Sequence, residues 1–454
     1  MAPLVLAWAP LSAAEEGAEK PPEPPPAVAE EPPNPLTEGF FPGFVREDFR
    51  GSLWTRYRLR FTPDESDQDF TQNLALDIGD PAKHGVTFTF LGEWSWDIDG
   101  VDDPSALYQI EDTFDSSVNG RLLNAYADLH RLGAVEKIRI GRQDLGLVPE
   151  VPIFDGAEAE TVALTSWKLR FHAFGGIPSH LYESSSDGDS VFGAGVETEP
   201  RDGTYAALTY AHIEDELSLD SEQADFIILD ARQRILRPVS FTGRLTALEG
   251  DLRDLLLRLF AADAETGWNG QLSYFTLLDT QKRLVTELDP YYEILLEEDP
   301  YHDGRILVSK DMGENFTLTG EVAIRELEND SDEGDFNHEF RRYALVPQVH
   351  DWPLEDTEIS VTGEIWDTDD ENIQTYGFAI SHEFDDDIRA DLGTEYALYK
   401  FDPLLADELD HVRSVYLRGR YDIDEALSVD LRLEIERDDT DTYNTMRVGL
   451  LWRF

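Results

Sequence analysis

Residues 443–454 read YNTMRVGLLWRF. Met446, Val448, Leu450, Trp452 and Phe454 fall on one face of an extended chain, and Arg447, Gly449, Leu451 and Arg453 on the other. That period of two belongs to a strand with one apolar and one polar side. Working back from the carboxyl end, the same period recurs. Leu427, Val429, Leu431, Leu433 and Ile435 alternate with Ser428, Asp430, Arg432, Glu434 and Glu436. Val86, Phe88, Phe90, Gly92, Trp94 and Trp96 alternate with Thr87, Thr89, Leu91, Glu93 and Ser95. Leu53, Thr55, Tyr57, Leu59 and Phe61 alternate with Ser52, Trp54, Arg56, Arg58 and Arg60.

Length decides what these strands build. They run for about ten to fourteen residues, against roughly five or six in soluble sheets, and about 9–11 tilted residues cross the hydrocarbon layer of a bilayer. The expected fold is therefore all-β: a transmembrane antiparallel up-and-down β-barrel with apolar side chains facing lipid and polar ones facing the lumen. Aromatic residues recur near strand ends, as interfacial girdles require: Trp94, Trp96, Trp167, Trp268, Trp352, Trp366, Tyr416, Tyr421 and Trp452.

The connections alternate in length. Segments 80–85, 132–135, 199–203, 313–315, 385–387 and 423–426 are short, whereas 97–120, 143–152, 177–189, 280–303, 328–337 and 402–410 are long. Short periplasmic turns and longer external loops give this rhythm, and it holds its phase to Phe454 if the chain enters from the periplasm. Segment counting yields about 20–22 strands, with 224–249 the hardest stretch to divide. Both termini on one side require an even total.

Composition agrees by exclusion. The chain has 454 residues, 41% hydrophobic and 29% charged, with 94 acidic against 37 basic side chains and a formal charge of -57. So acidic a chain lacks the basic footprint that nucleic acid requires. Cysteine is absent, which removes disulfides, Cys-bound zinc, thiol catalysis and CxxCH haem attachment. No run of 18 apolar residues follows the first few positions. Residues 1–14 (MAPLVLAWAPLSAA) resemble the latter part of a secretory signal peptide. Residues 15–39 are rich in Pro and Glu and are expected to form a periplasmic linker, open to a periplasmic partner, leaving 40–454 for the barrel.

The carboxyl end also resembles the β-signal read by the outer-membrane assembly machinery: a terminal Phe454, Trp452 two residues earlier and Gly449 five residues earlier, with polar Arg447 before the glycine. The bacterial outer membrane is thus the expected location, with its lipid and lipopolysaccharide and the assembly machinery as partners.

A family resemblance rests on residues 124–176. NAYADLHRLGAVEKIRIGRQDLGL is followed by FDGAEAETVAL and WKLRFHAFGG. Ala125, Tyr126, Asp128 and Leu129, then Ile138, Arg139, Ile140, Gly141, Arg142, Gln143 and Leu145, then Phe154, Asp155 and Gly156, resemble the motifs of the alginate export family of outer-membrane porins. Glu158 and Glu160 depart from the Arg-rich text that the family carries there. The resemblance implies an 18-stranded channel exporting an anionic polysaccharide, so the strand number is expected within 18–22.

Alternation assigns the lumen. Arg56, Arg58, Arg60, Arg139, Arg170, Arg418, Arg420, Arg432 and Arg447 are the candidate substrate contacts, with Arg258, Arg325, Arg389 and Arg453 on the same faces. Planar guanidinium groups suit multidentate contact with carboxylates, and a polyuronate could step along them, held weakly at many sites. The bland reading of the same residues is that they pair with carboxylates such as Asp128, Glu321, Glu364 and Asp430 and stiffen the wall. Loop carboxylates such as Asp330, Asp332, Asp369 and Asp439 read as a solvated acidic surface. No metal site and no cofactor is expected. Asp128 and His130, His382 and Glu383, and the isolated Gly193 and Gly195 bring no nucleophile or phosphate motif with them, so no enzyme is expected. The function expected is a porin or export channel for anionic or polar polysaccharide. The alternatives are a general diffusion porin or a barrel sheathing a partner such as a multihaem electron conduit.

Overall fold

The computed structural model describes residues 44–100, 105, 107, 112, 116–146, 153–179, 189–214, 223–279, 299–329, 338–368, 372–402, 407–439 and 441–454. The expected leader (1–14) and linker (15–39), and most of the long segment 280–303, lie outside the described residues.

Alternating stretches become strands because an extended chain sends successive side chains to opposite faces. They are β1 (Phe49–Phe61), β2 (Ser66–Ile78), β3 (Val86–Asp99), β4 (Val118–Leu132), β5 (Val135–Gln143), β6 (Phe154–Thr161), β7 (Arg170–Pro178), β8 (Ser190–Arg201), β9 (Thr204–Glu214), β10 (Gln223–Leu236) and β11 (Val239–Leu248). The second half comprises β12 (Asp251–Asp263), β13 (Trp268–Leu277), β14 (Tyr301–Asp311), β15 (Phe316–Leu327), β16 (Phe340–His350), β17 (Thr357–Asp367), β18 (Asn372–Asp385), β19 (Ile388–Asp402), β20 (Asp407–Asp422), β21 (Leu427–Arg437) and β22 (Thr442–Arg453). Each pairs antiparallel with its sequence neighbour, and β1 pairs with β22, so the 22-stranded sheet closes on itself. Closure removes the sheet edge, which a bilayer would leave without hydrogen bonds.

The carboxyl-terminal strand makes the seam with β1. Ser52 faces Arg453 and Phe61 faces Asn444 across it. Gly51 N–H donates to the Phe454 carbonyl at 2.8 Å, and Phe454 N–H returns the bond at 3.0 Å. A Cβ on Gly51 would stand 2.5 Å from the Phe454 ring, so a glycine here lets the terminal aromatic lie against the strand.

The strand number corrects the resemblance: 22, at the top of the expected range, rather than 18. The difficult stretch 224–249 divides into β10 and β11. The tight turn after β11 uses Glu249 and Gly250, both at positive φ (53° and 96°), as a two-residue hairpin of matching twist requires. Long connections (100–117, 144–153, 179–189, 278–300 and 328–339) collect at one end, while 133–134, 202–203, 237–238 and 386–387 close the other. The expected long segment 402–410 is shorter than its polar text suggests, because β19 runs to Asp402 and β20 starts at Asp407.

The apolar faces point outward. Leu208, Tyr210, Ile227, Leu229, Leu433, Ile435, Val448, Leu450 and Trp452 are exposed. Their neighbours Ala207, Thr209, Phe226 and Ile228 are buried on the inside. Two aromatic residues expected in the girdles are instead inside. Tyr416 is buried, with the Arg418 guanidinium 4.3 Å from its ring centroid. Trp366 donates its indole N–H to Glu364 and meets Arg342. Both share the parity of charged neighbours, and parity outranks residue type in deciding which face a strand residue occupies.

Candidate functional site: an arginine row beside the seam

Four arginines on β1, β22, β21 and β20 form a single row. Arg58 is the direct partner of Arg447, Arg447 of Arg432, and Arg432 of Arg418. Asp69 stands beyond Arg58, and Asp391 beyond Arg418. Adjacent strands are about 4.8 Å apart, so the row spans roughly 14 Å of wall.

Like charges directly opposite one another are destabilising, and this row is only partly compensated. Arg58 Nη2 reaches Asp69 at 2.5 Å, and Arg432 Nη2 reaches Glu434 at 2.8 Å. Arg447 and Arg418 make no carboxylate ion pair among the described residues, and the Nε atoms of Arg418, Arg432 and Arg447 are buried without a hydrogen-bond partner.

One step along each strand pair lies a mixed row, in which Arg56 faces Gly449, Gly449 faces Asp430, Asp430 faces Arg420, and Arg420 faces Arg389. Gly449 has a local reason to be glycine, since a Cβ there would sit 2.1 Å from Asp430 Oδ1. Arg56 lies 4.7 Å from the Trp54 ring centroid, and Arg420 pairs with Asp422 at 2.8 Å. On the loop side of the row, Arg60 Nη1 donates to the Leu107 carbonyl at 3.2 Å.

Elsewhere on the inner wall several arginines are each tied to a carboxylate. Arg139 binds Asp128 with two bonds of 2.9 and 3.1 Å and lies 3.8 Å from the Tyr126 ring centroid. Arg170 meets Glu197 at 3.1 Å, and Arg244 meets Asp230 at 2.9 Å. Arg342 bridges Glu321 and Glu364, each at 2.6 Å. The sequence-assigned arginines therefore split. Seven gather beside the seam, whereas Arg139 and Arg170 sit apart on β5 and β7, each tied to a carboxylate. Arg244 and Arg342 were missed as wall residues, although alternation with the outward Leu245 and Tyr343 would have found them.

The wall of β6 to β10 differs again. Phe154, Phe174, Val191, Ile213, Phe226 and Ile228 form a buried apolar cluster on the inner face. The residues weighed for catalysis are occupied structurally: His130 contacts Thr87 at 2.9 Å, His382 contacts Thr357 at 2.8 Å, and Glu383 pairs with Arg389 at 3.4 Å.

An even-numbered, closed, antiparallel barrel with an apolar exterior and a charged interior defines the class: this is a β-barrel of the outer-membrane type. No protein-family model and no curated protein matches the chain in sequence. Among solved structures, it is similar to the outer membrane protein OpdK of Pseudomonas aeruginosa (13% identity, TM-score 0.40, covering 90% of this chain and 99% of that one). It is also similar to OccAB4 of Acinetobacter baumannii (11%, 0.43, 89% and 97%) and to a BenF-like porin of Pseudomonas fluorescens Pf-5 (13%, 0.41, 91% and 100%).

Proposed function

We propose that the barrel is a passive channel for carboxylate-bearing solutes, with anionic saccharides such as polyuronates as the substrate class. The supporting observation is the row Arg58, Arg447, Arg432 and Arg418, where four guanidinium groups stand in direct register and only two of them meet a carboxylate among the described residues. A carboxylate entering the lumen would relieve that repulsion through bidentate contacts. Several neighbouring weak sites would then let it move on instead of being trapped. The net charge of -57 does not oppose this reading, because fields from outer carboxylates decay over about 8 Å in physiological salt whereas the row faces the solute directly.

The test is single-channel recording of the purified protein in planar bilayers. The expected result is anion-selective conductance that a polyuronate blocks from one side, with block weakened in the Arg418→Gln/Arg447→Gln variant. Anion selectivity that ignores polyuronate would reduce the barrel to a general diffusion porin. Cation-selective conductance unaffected by carboxylates would overturn the proposal.

A further inference from the structure

At the loop-bearing end of β2 and β3, Asp69 and Asp97 are direct cross-strand partners. Asp67 lies two residues from Asp69 on the same inner face. One carboxylate oxygen from each of the three lies within 4.8 Å of the others. Asp67 is 1% exposed, and among the described residues neither of its oxygens has a hydrogen-bond partner. Arg58 engages Asp69 through one oxygen only, at 2.8 Å from Nε and 2.5 Å from Nη2, leaving the other. A further carboxylate stands beside Asp97, since a Cβ on Gly100 would lie 2.5 Å from Asp97 Oδ2 and 3.0 Å from Asp112 Oδ1.

Carboxylates opposite one another repel, and a buried carboxylate without a partner is costly. Arg58 and Arg60, opposite Asp69 and Asp67 across β1–β2, set two positive charges against the four carboxylates Asp67, Asp69, Asp97 and Asp112. A hard divalent cation balances the remainder, because it takes several oxygens at once and tolerates mono- or bidentate carboxylates in irregular geometry. We infer that Asp67, Asp69 and Asp97 form a divalent-cation site of the all-oxygen type, with Ca²⁺ as the fitting ion.

The site sits where a cation would act on a loop. Asp97 N–H donates to the Ser117 carbonyl at 2.9 Å, closing the root of segment 100–117. Ser105 Oγ donates to Glu65 Oε2 at 2.5 Å, tying the same segment to the connection before β2. Bound Ca²⁺ would cross-link β2 to that root beside the end of the arginine row. With Arg58 adjacent, the affinity falls in the class of extracellular sites, about 10⁻⁴–10⁻³ M.

The test is calorimetric Ca²⁺ titration of the full chain in detergent, stripped with chelator and held at constant ionic strength with excess Mg²⁺. The expected result is a saturable component of one Ca²⁺ per chain above the weak background of the acidic surface. It weakens at least tenfold in Asp67→Asn and in Asp97→Asn, and stays unchanged in Glu425→Gln, a turn carboxylate. Heat-modifiable gel mobility confirms that each variant is folded. In chelator, Asp67→Asn should melt above the wild type and show no further rise with Ca²⁺. A wild type without the saturable component, or both Asn variants binding like the wild type, overturns the site. Neither readout depends on conductance.

Discussion

Arg447 stands directly across the β1–β22 seam from Arg58, yet among the described residues only Arg58 of the two has a carboxylate, Asp69, at 2.5 Å. The two side chains should therefore respond to removal with opposite signs. Arg58→Gln leaves Asp69 buried without its partner and should cost about 1–3 kcal/mol, below the full range for a buried pair because the lumen is wet. Arg447→Gln removes a like charge from the row and should leave stability unchanged or raise it by about 0.2–1 kcal/mol. Urea unfolding in phospholipid vesicles measures both, and equal losses would contradict the register.

The row should also separate selectivity from charge count. Arg418→Gln/Arg447→Gln is expected to lower the anion-to-cation permeability ratio several-fold. Arg139→Gln, already neutralised by Asp128, should change it little. In 1 M salt the screening length falls to about 3 Å, so the difference should fade there. Reversal potentials under a salt gradient decide the matter, and an equal effect of the two variants would dissolve the row as a functional unit.

Gly449 is spatially constrained by Asp430. Gly449→Ala must push the Asp430 carboxylate aside and should cost the folded barrel about 1 kcal/mol, the low end for overpacking because only a side-chain end has to move. Adding Asp430→Ala should restore most of that loss in vitro. Should the glycine serve only recognition by the assembly machinery, in vitro folding of Gly449→Ala would match the wild type while assembly in cells failed.

Arg342 holds two carboxylates, Glu321 and Glu364, each at 2.6 Å. Arg342→Ala leaves both facing each other across β15 to β17, and about 3 kcal/mol is the expected loss. The triple variant with Glu321→Gln and Glu364→Gln should recover stability. A single variant as stable as the wild type would show that Arg305 on Glu321, the Trp366 indole on Glu364 and lumen water suffice for the two charges.

On the outside, depth sets the cost. Leu208 lies near the middle of β9 and Tyr421 at the end of β20, both exposed. Leu208→Arg should cost about 2–4 kcal/mol, and Tyr421→Arg about 0–1 kcal/mol. Matching losses in vesicle unfolding would argue against the assigned band.

Much of this is legible in the sequence. Parity alone placed Arg56, Arg58, Arg418, Arg432 and Arg447 on one kind of face and Val448, Leu450 and Trp452 on the other, because successive side chains of a strand must point oppositely. The same rule misled only where residue type was allowed to override it, as with Tyr416 and Trp366. The terminal YNTMRVGLLWRF marked the closing strand without showing what it closed against. Parity names a face and says nothing of height, so it could not bring Arg58 and Arg447, at opposite ends of the chain, to the same level. That took the register of the β1–β22 seam, which backbone hydrogen bonds between Gly51 and Phe454 set. Strand number was open for the same reason, since closure is a property of the whole sheet. The juxtaposition of Asp67, Asp69 and Asp97 also waited on tertiary structure, because it depends on a shift of pairing between Gln68 and Asp69 that brings Asp97 opposite Asp69.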